Sequence, residues 1–331
     1  MPRILIAGAL ALAAMHHGGP PDPSDTQRQD VPPAQDVVTS DPDTTTETLA
    51  LQRDRSRRLT VPVTIMGEGP FDFMVDTGAQ ATVISSALAE QLQLNDRAPA
   101  ILVGIASARP VETAFIPDFT LGRRTFSIRN APIVAGTNIG TGDGILGLDS
   151  LQDQRVLLDF RSGEMTVSES FDSGGANSYD ITVRARERLG QLIIHRAEVD
   201  GVRTAVIIDT GATASVGNLA LQRRMRGRMA LDDATITDVN GVRMTSETRV
   251  ARSIEMGRIQ LANIPVSFAD SPSFHALDLV DRPALIMGMN ELRMFNRVAI
   301  DFRSRRVLFD MPGDVHGDQA WNFNERATRL D

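Results

Sequence analysis

Two aspartates head the chemistry that this sequence could perform. Asp76 stands in FDFMVDTGAQATVIS and Asp209 in TAVIIDTGATASVGN. Each follows an apolar run and opens the tetrad Asp-Thr-Gly-Ala, so the carboxyl leaves a buried strand at a turn where glycine permits close backbone approach. A carboxylate placed in this way is held. Two of them about 3 Å apart cannot both ionise, so one serves as acid and the other as base with no further titratable group. Such a pair can hold a water and take its proton. A single Asp-Thr-Gly would read as an ordinary turn, and it is the second copy that gives the motif its weight.

The elements needed to position these residues repeat with them. NAPIV at 130–134 matches NIPVS at 263–267 at the offset of 133 residues that separates the aspartates. GILGLDSL at 144–151 matches LIMGMNEL at 285–292, and VLLDFRS at 156–162 matches VAIDFRS at 298–304. The order of the markers is the same in both halves. The offset grows to about 141 at the glycine marker, which implies a short insertion in the second copy within DSPSFHALDLVDRP. Short apolar runs separated by Gly, Pro, Asn and Asp predict many short strands, with helices only at 85–94 and 217–228. The expected fold is therefore all-β, mainly strands with short helices, in two homologous lobes.

Bulk properties set the limits. A chain of 331 residues suits two domains, and 42% apolar with 23% charged residues fits a packed protein. There is no cysteine, which removes disulfides, thiolate metal sites and a cysteine nucleophile. His16, His17, His195, His275 and His316 form no spaced pair on a core element, so no metal and no cofactor is expected. The net charge is −8 and the basic residues, all arginine, form no sustained run, which argues against nucleic acid. The apolar run after Arg3, with small residues to Ala14, predicts a signal peptide over 1–14 and with it a periplasmic or secreted location, membrane-tethered if uncleaved. A disordered tether is expected over 15–50, lobes over 51–170 and 181–311, a Gly- and Ser-rich linker over 171–180 and a tail over 312–331.

On VDTGA and IDTGA with ILG and IMG, the sequence resembles the aspartic peptidases: a retropepsin-like unit duplicated in one chain as in pepsin-like enzymes, of the bacterial exported type. The resemblance implies that Asp76 and Asp209 are the catalytic pair of an aspartic endopeptidase, with the active site at the interface of the lobes. It implies that Thr77 and Thr210 tie the two loops together, that Gly78, Ala79, Gly211 and Ala212 shape them, and that Gly147 and Gly288 pass beneath. A flap is implied near 103–109, including Gly104, Ile105, Ala106 and Ser107, and a second near 239–243. The implied partner is an extended peptide or protein substrate, bound by a monomer with pseudo-twofold lobes. Ala79 and Ala212 stand where pepsin-like enzymes commonly carry a hydroxyl, which implies higher carboxyl pKa values and a working window of roughly pH 4 to 6.5, a direction carried over from the family itself.

Other residues read more plainly. Asp159 and Asp301 in the DFRS segments are expected to serve a turn or an ion pair with Arg161 or Arg303. Arg223, Arg224, Arg226 and Arg228 read as a solvated face, and Trp321 as docked on a lobe. The competing readings are a non-catalytic peptide-binding or scaffold protein that kept the fold, and a structural envelope protein. Neither has a need for two intact acids.

Overall fold

The computed structural model describes residues 3–6, 46–50, 52–53, 59–140, 142–151, 154–168, 179–225, 230–312 and 327–329. The remainder of the expected signal peptide and tether, most of the linker, Arg226, Arg228 and Trp321 lie outside them. Within those expected segments, Arg3–Ile6 is a strand paired in parallel with Arg97–Val103, and Thr46–Ala50 is a strand paired with Glu164–Ser168.

The chain is mainly β. The strand Glu68–Val75 is exposed at its start and buried at Phe73, Met74 and Val75, so it delivers the next residue, Asp76, from the core. It pairs antiparallel with Leu59–Ile65 and parallel with Gly144–Leu146. Gly144–Leu146 in turn pairs antiparallel with Val83–Ser85, which continues in parallel to Arg124–Val134. The second lobe repeats every step. Val202–Ile208 runs antiparallel to Gln191–Val199 and parallel to Ala284–Met287. Val216–Asn218 then pairs antiparallel with Ala284–Met287 and parallel with Ile259–Ala269. In both lobes, therefore, a strand returning late in the sequence slots between the two that flank the aspartate turn.

A six-stranded sheet joins the lobes. At its centre Arg155–Asp159 pairs antiparallel with Arg297–Asp301, in a register symmetric about Leu157 opposite Ala299. This explains why the DFRS segments repeat: they are the same strand end seen from either side of the twofold. Asp159 accepts the amides of Arg161 and Ser162 at 2.9 and 3.0 Å, and Asp301 accepts that of Ser304 at 2.7 Å, so both acids close turns. Tyr179 sits on this sheet with the guanidinium groups of Arg155 and Arg297 5.3 and 5.0 Å from its ring centre.

The two helices are shorter than the sequence suggests. Ser86–Gln91 starts from Ser85, whose hydroxyl accepts the Leu88 amide at 3.2 Å, and Leu219–Arg224 starts from Asn218, which accepts the Leu221 amide at 2.8 Å. Arg223 and Arg224 are exposed in the last turn of the second helix, where the macrodipole favours them. The inserted residues of the second copy form the helix Pro272–Ala276, and its Phe274 is fully buried.

Candidate active site

The aspartate loops come together at the lobe interface. Asp76 Oδ1 accepts the amides of Gly78 and Ala79 at 2.8 and 2.9 Å, and Asp209 Oδ1 accepts those of Gly211 and Ala212 at 2.9 and 3.1 Å. Each carboxyl packs on the other lobe. A methyl placed on Gly78 would lie 2.3 Å from Asp209 Cγ, and one on Gly211 would lie 2.2 Å from Asp76 Oδ2. No side chain larger than hydrogen fits at either position without separating the loops. Glycine is required here for approach across the interface as much as for the turn.

The threonines bind the loops reciprocally. Thr77 Oγ1 donates to the Ile208 carbonyl at 3.0 Å and accepts the Thr210 amide at 3.2 Å. Thr210 Oγ1 donates to the Val75 carbonyl at 2.8 Å and accepts the Thr77 amide at 3.0 Å. All four bonds are buried, so losing one would strand groups that water cannot reach.

Gly147 and Gly288 lie beneath the loops. A methyl on Gly147 would stand 2.4 Å from the Ala81 carbonyl carbon, and one on Gly288 would stand 2.8 Å from that of Ala214. The strands there also carry the loops: the Asp76 amide donates to Leu146 at 3.1 Å and the Asp209 amide to Met287 at 3.0 Å.

Both aspartates are buried, at 0% and 2% exposure. Burial pushes the Asp76 carboxyl well above its ordinary range, and the charge and hydrogen bonding of Asp209 push it the same way against the Gly78 and Ala79 amides. A neutral acid beside an ionised one is the state this environment favours.

The segments expected as flaps are hairpin tips. Residues 104–107 join Arg97–Val103 to Ala108–Leu121, and residues 238–242 join Ala230–Thr237 to Arg243–Met256. They meet one another. Ser107 Oγ donates to Asp238 Oδ2 at 2.6 Å, and Asn240 Nδ2 donates to the Leu102 carbonyl at 3.2 Å and to Ser107 Oγ at 3.0 Å. Ile105 is buried in a second-lobe cluster with Ala212, Val216, Ile286 and Phe274, while Val239 is buried in a first-lobe cluster with Ala79, Val83, Ile145 and Leu102. Each tip thus inserts an aliphatic side chain beside the aspartate loop of the opposite lobe. Gly104 lies against Asp238, where a methyl would be 2.7 Å from Oδ2. Ala106 and Ser107 remain partly exposed at the tip.

Sequence reasoning missed three residues. Gln191, on the second lobe, donates through Nε2 to the Gly78 carbonyl, and nothing in its local pattern marks it. Asp238 stands one residue before the expected second flap, and its Asp-Val-Asn-Gly run is a turn signal that could have included it. Glu291 is a buried acid on the short helix Met289–Leu292. The repeat alignment already sets it opposite Ser150.

A family model described as aspartyl protease matches the chain twice, over residues 61–150 and 195–290. A search of curated proteins found no match. The two matched stretches take in one Asp-Thr-Gly-Ala loop and one glycine-bearing strand each, together more than half of the chain, and the chain belongs to the aspartyl protease family.

Proposed function

We propose that the protein is an endopeptidase that hydrolyses peptide bonds between its lobes, using a water held between Asp76 and Asp209. The observation that carries this reading is the reciprocal packing of each carboxyl on the glycine of the opposite loop. The ionised member takes a proton from the water as its oxygen attacks the scissile carbonyl carbon. The protonated member donates to the carbonyl oxygen. Collapse of the tetrahedral intermediate then breaks the C–N bond as the departing nitrogen is protonated, and the pair returns to one shared proton.

The substrate is an extended peptide that enters where the hairpin tips now meet. Ile105 and Val239 occupy apolar space beside Ala212 and Ala79, so a bound peptide would take their places with its own apolar side chains. The tips therefore part before substrate reaches the aspartates. The protein acts as a monomer, since one chain supplies both loops. We place it outside the cytoplasm on the strength of residues 1–14, whose removal would take only the edge strand Arg3–Ile6 from the first sheet, and the mass of the protein recovered from an envelope fraction tests that point.

Purified protein incubated with a denatured protein mixture, followed by mass spectrometry of new termini, tests the activity. New internal termini support the endopeptidase. Binding of unfolded chains without new termini between pH 4 and 6.5 would instead leave a non-catalytic peptide-binding protein.

A further inference from the structure

The strand that supports Asp209 is itself held by an acid. Glu291 is 3% exposed, and its Oε2 accepts the Ser215 hydroxyl at 2.6 Å. Ser215 Oγ in turn accepts the Gly288 amide at 3.3 Å. The next amide, that of Met289, donates to the Ala212 carbonyl at 2.8 Å, and the Ala212 amide donates to Asp209 Oδ1 at 3.1 Å. An unbroken run of hydrogen bonds and adjoining backbone leads from Glu291 to the carboxyl proposed to do chemistry.

The first lobe reaches the same support by other means. Thr82 Oγ1 accepts the Gly147 amide at 3.1 Å, donates to Asp149 at 2.6 Å and shares a bond with Ser150 Oγ at 2.7 Å. Asp149 keeps an edge at the surface although burial of its carboxyl raises its pKa, whereas Glu291 is sealed. Among the described residues no cation pairs with Glu291; a sealed carboxylate without one is costly, and the chain avoids that cost only while Glu291 is neutral.

We propose that Glu291 is a positioning residue for Asp209, acting through Ser215 and the Gly288 amide on the backbone that carries the Asp209 loop. This rests on the endopeptidase reading above. The neutral acid fixes the Ser215 hydroxyl so that its lone pair faces Gly288. Ionisation puts a charge beneath the loop that carries Asp209. Burial holds the Glu291 carboxyl up at about 7, opposed by the Ser215 hydroxyl and by the amides of Glu291 itself and Gly288. An ionised Glu291 would still accept the Ser215 hydroxyl, and what it adds is a sealed charge whose burial cost loosens the packing under the loop as pH rises towards neutral.

Glu291→Leu and Glu291→Gln test this together. The leucine leaves Ser215 without its acceptor, and we expect kcat to fall by about 10- to 100-fold with KM changed less than about threefold. The glutamine keeps an acceptor and cannot ionise, so it should restore kcat near pH 5 and carry activity further up the alkaline side than the parent. Unaltered kcat in the leucine variant, or an alkaline limb in the glutamine variant that matches the parent's, would overturn the proposal even if both variants melt earlier. Should the leucine variant not fold, the glutamine limb decides alone. Amide exchange over 209–215 and 285–292 gives a readout that needs no turnover. Protection factors that fall between pH 5 and pH 8 in the parent, after the intrinsic rise of the exchange rate with pH is removed, and that hold in Glu291→Gln, support the proposal, and equal protection in both contradicts it. If the parent cleaves nothing, the endopeptidase reading falls while the exchange result still decides this one.

Discussion

Around Asp76 the loop amides lie at 2.8 and 2.9 Å from the carboxyl, and around Asp209 they lie at 2.9 and 3.1 Å. The threonine bonds across the interface match as closely. One layer behind, the lobes part company. The first braces its glycine strand with Thr82, Ser150 and an aspartate at the surface edge, and the second with Ser215 and a fully buried glutamate. At the tips, the second lobe adds the helix Pro272–Ala276, whose Ser273 hydroxyl donates to the Gly104 carbonyl at 3.0 Å, where the first has only the short turn Gly136–Asn138. A duplicated unit can thus be equal where two copies touch one shared centre and diverge where each copy answers only to its own core.

The largest effect should come from the layer in which the lobes agree. Asp76→Asn and Asp209→Asn should each lower kcat by about a thousandfold or more with the fold retained, because an amide can neither take nor share the proton. A variant of one lobe that keeps substantial turnover while its partner is silent would break the equivalence. Next come the threonines. Thr77→Val leaves the Ile208 carbonyl and the Thr210 amide buried and unpaired, and Thr210→Val does the same to Val75 and Thr77, so each should cost about 4 kcal/mol in urea unfolding. Markedly unequal costs would show that the grip is not shared evenly.

The layer behind should reveal the asymmetry through pH. Glu291 is held at about 7 in the folded chain against an ordinary 4.5, so between those values the folded chain keeps a proton that the unfolded chain has lost. Stability from this group is whole below about 4.5 and is lost as pH rises through about 7, a change of about 3 kcal/mol. Asp76, also raised, acts in the same direction. Unfolding measured at pH 4.5 and pH 8 should show the fall in the parent and a smaller one in Glu291→Gln, and identical slopes would remove the buried acid from the account. The smallest effect belongs to the tips. Ser107→Ala removes the bond to Asp238 and the one accepted from Asn240, and should ease opening by about 1 kcal/mol or more, read as a KM lowered a few-fold. A raised KM would mean that Ser107 holds substrate rather than the closed tips.

Most of the central layer was legible in the sequence because it repeats. Asp76 and Asp209, their glycines and the strands carrying Gly147 and Gly288 all stand at matched offsets after apolar runs, and the structure brings them together. The insertion was legible as a change of offset, though not as a helix that ties down the opposite tip. Gln191 was hidden because its contact joins two lobes, and no local pattern encodes a partner 113 residues away. The helices were drawn too long because their apolar periodicity runs on past Gln91, where the last turn gives way to a turn at Leu92 and Gln93. Ile105 and Val239 look like ordinary strand residues, and only the folded chain shows each of them seated in the other lobe.

The measurement that tests the shared-proton pair most directly is the pH profile of kcat/KM on a cleaved peptide, from pH 2 to pH 9. The account predicts a bell with its working window at roughly pH 4 to 6.5, because one carboxyl must be ionised and its buried neighbour protonated. A profile flat through pH 9 would contradict it, since a pair that works without a shared proton is not the centre these two lobes were read as building.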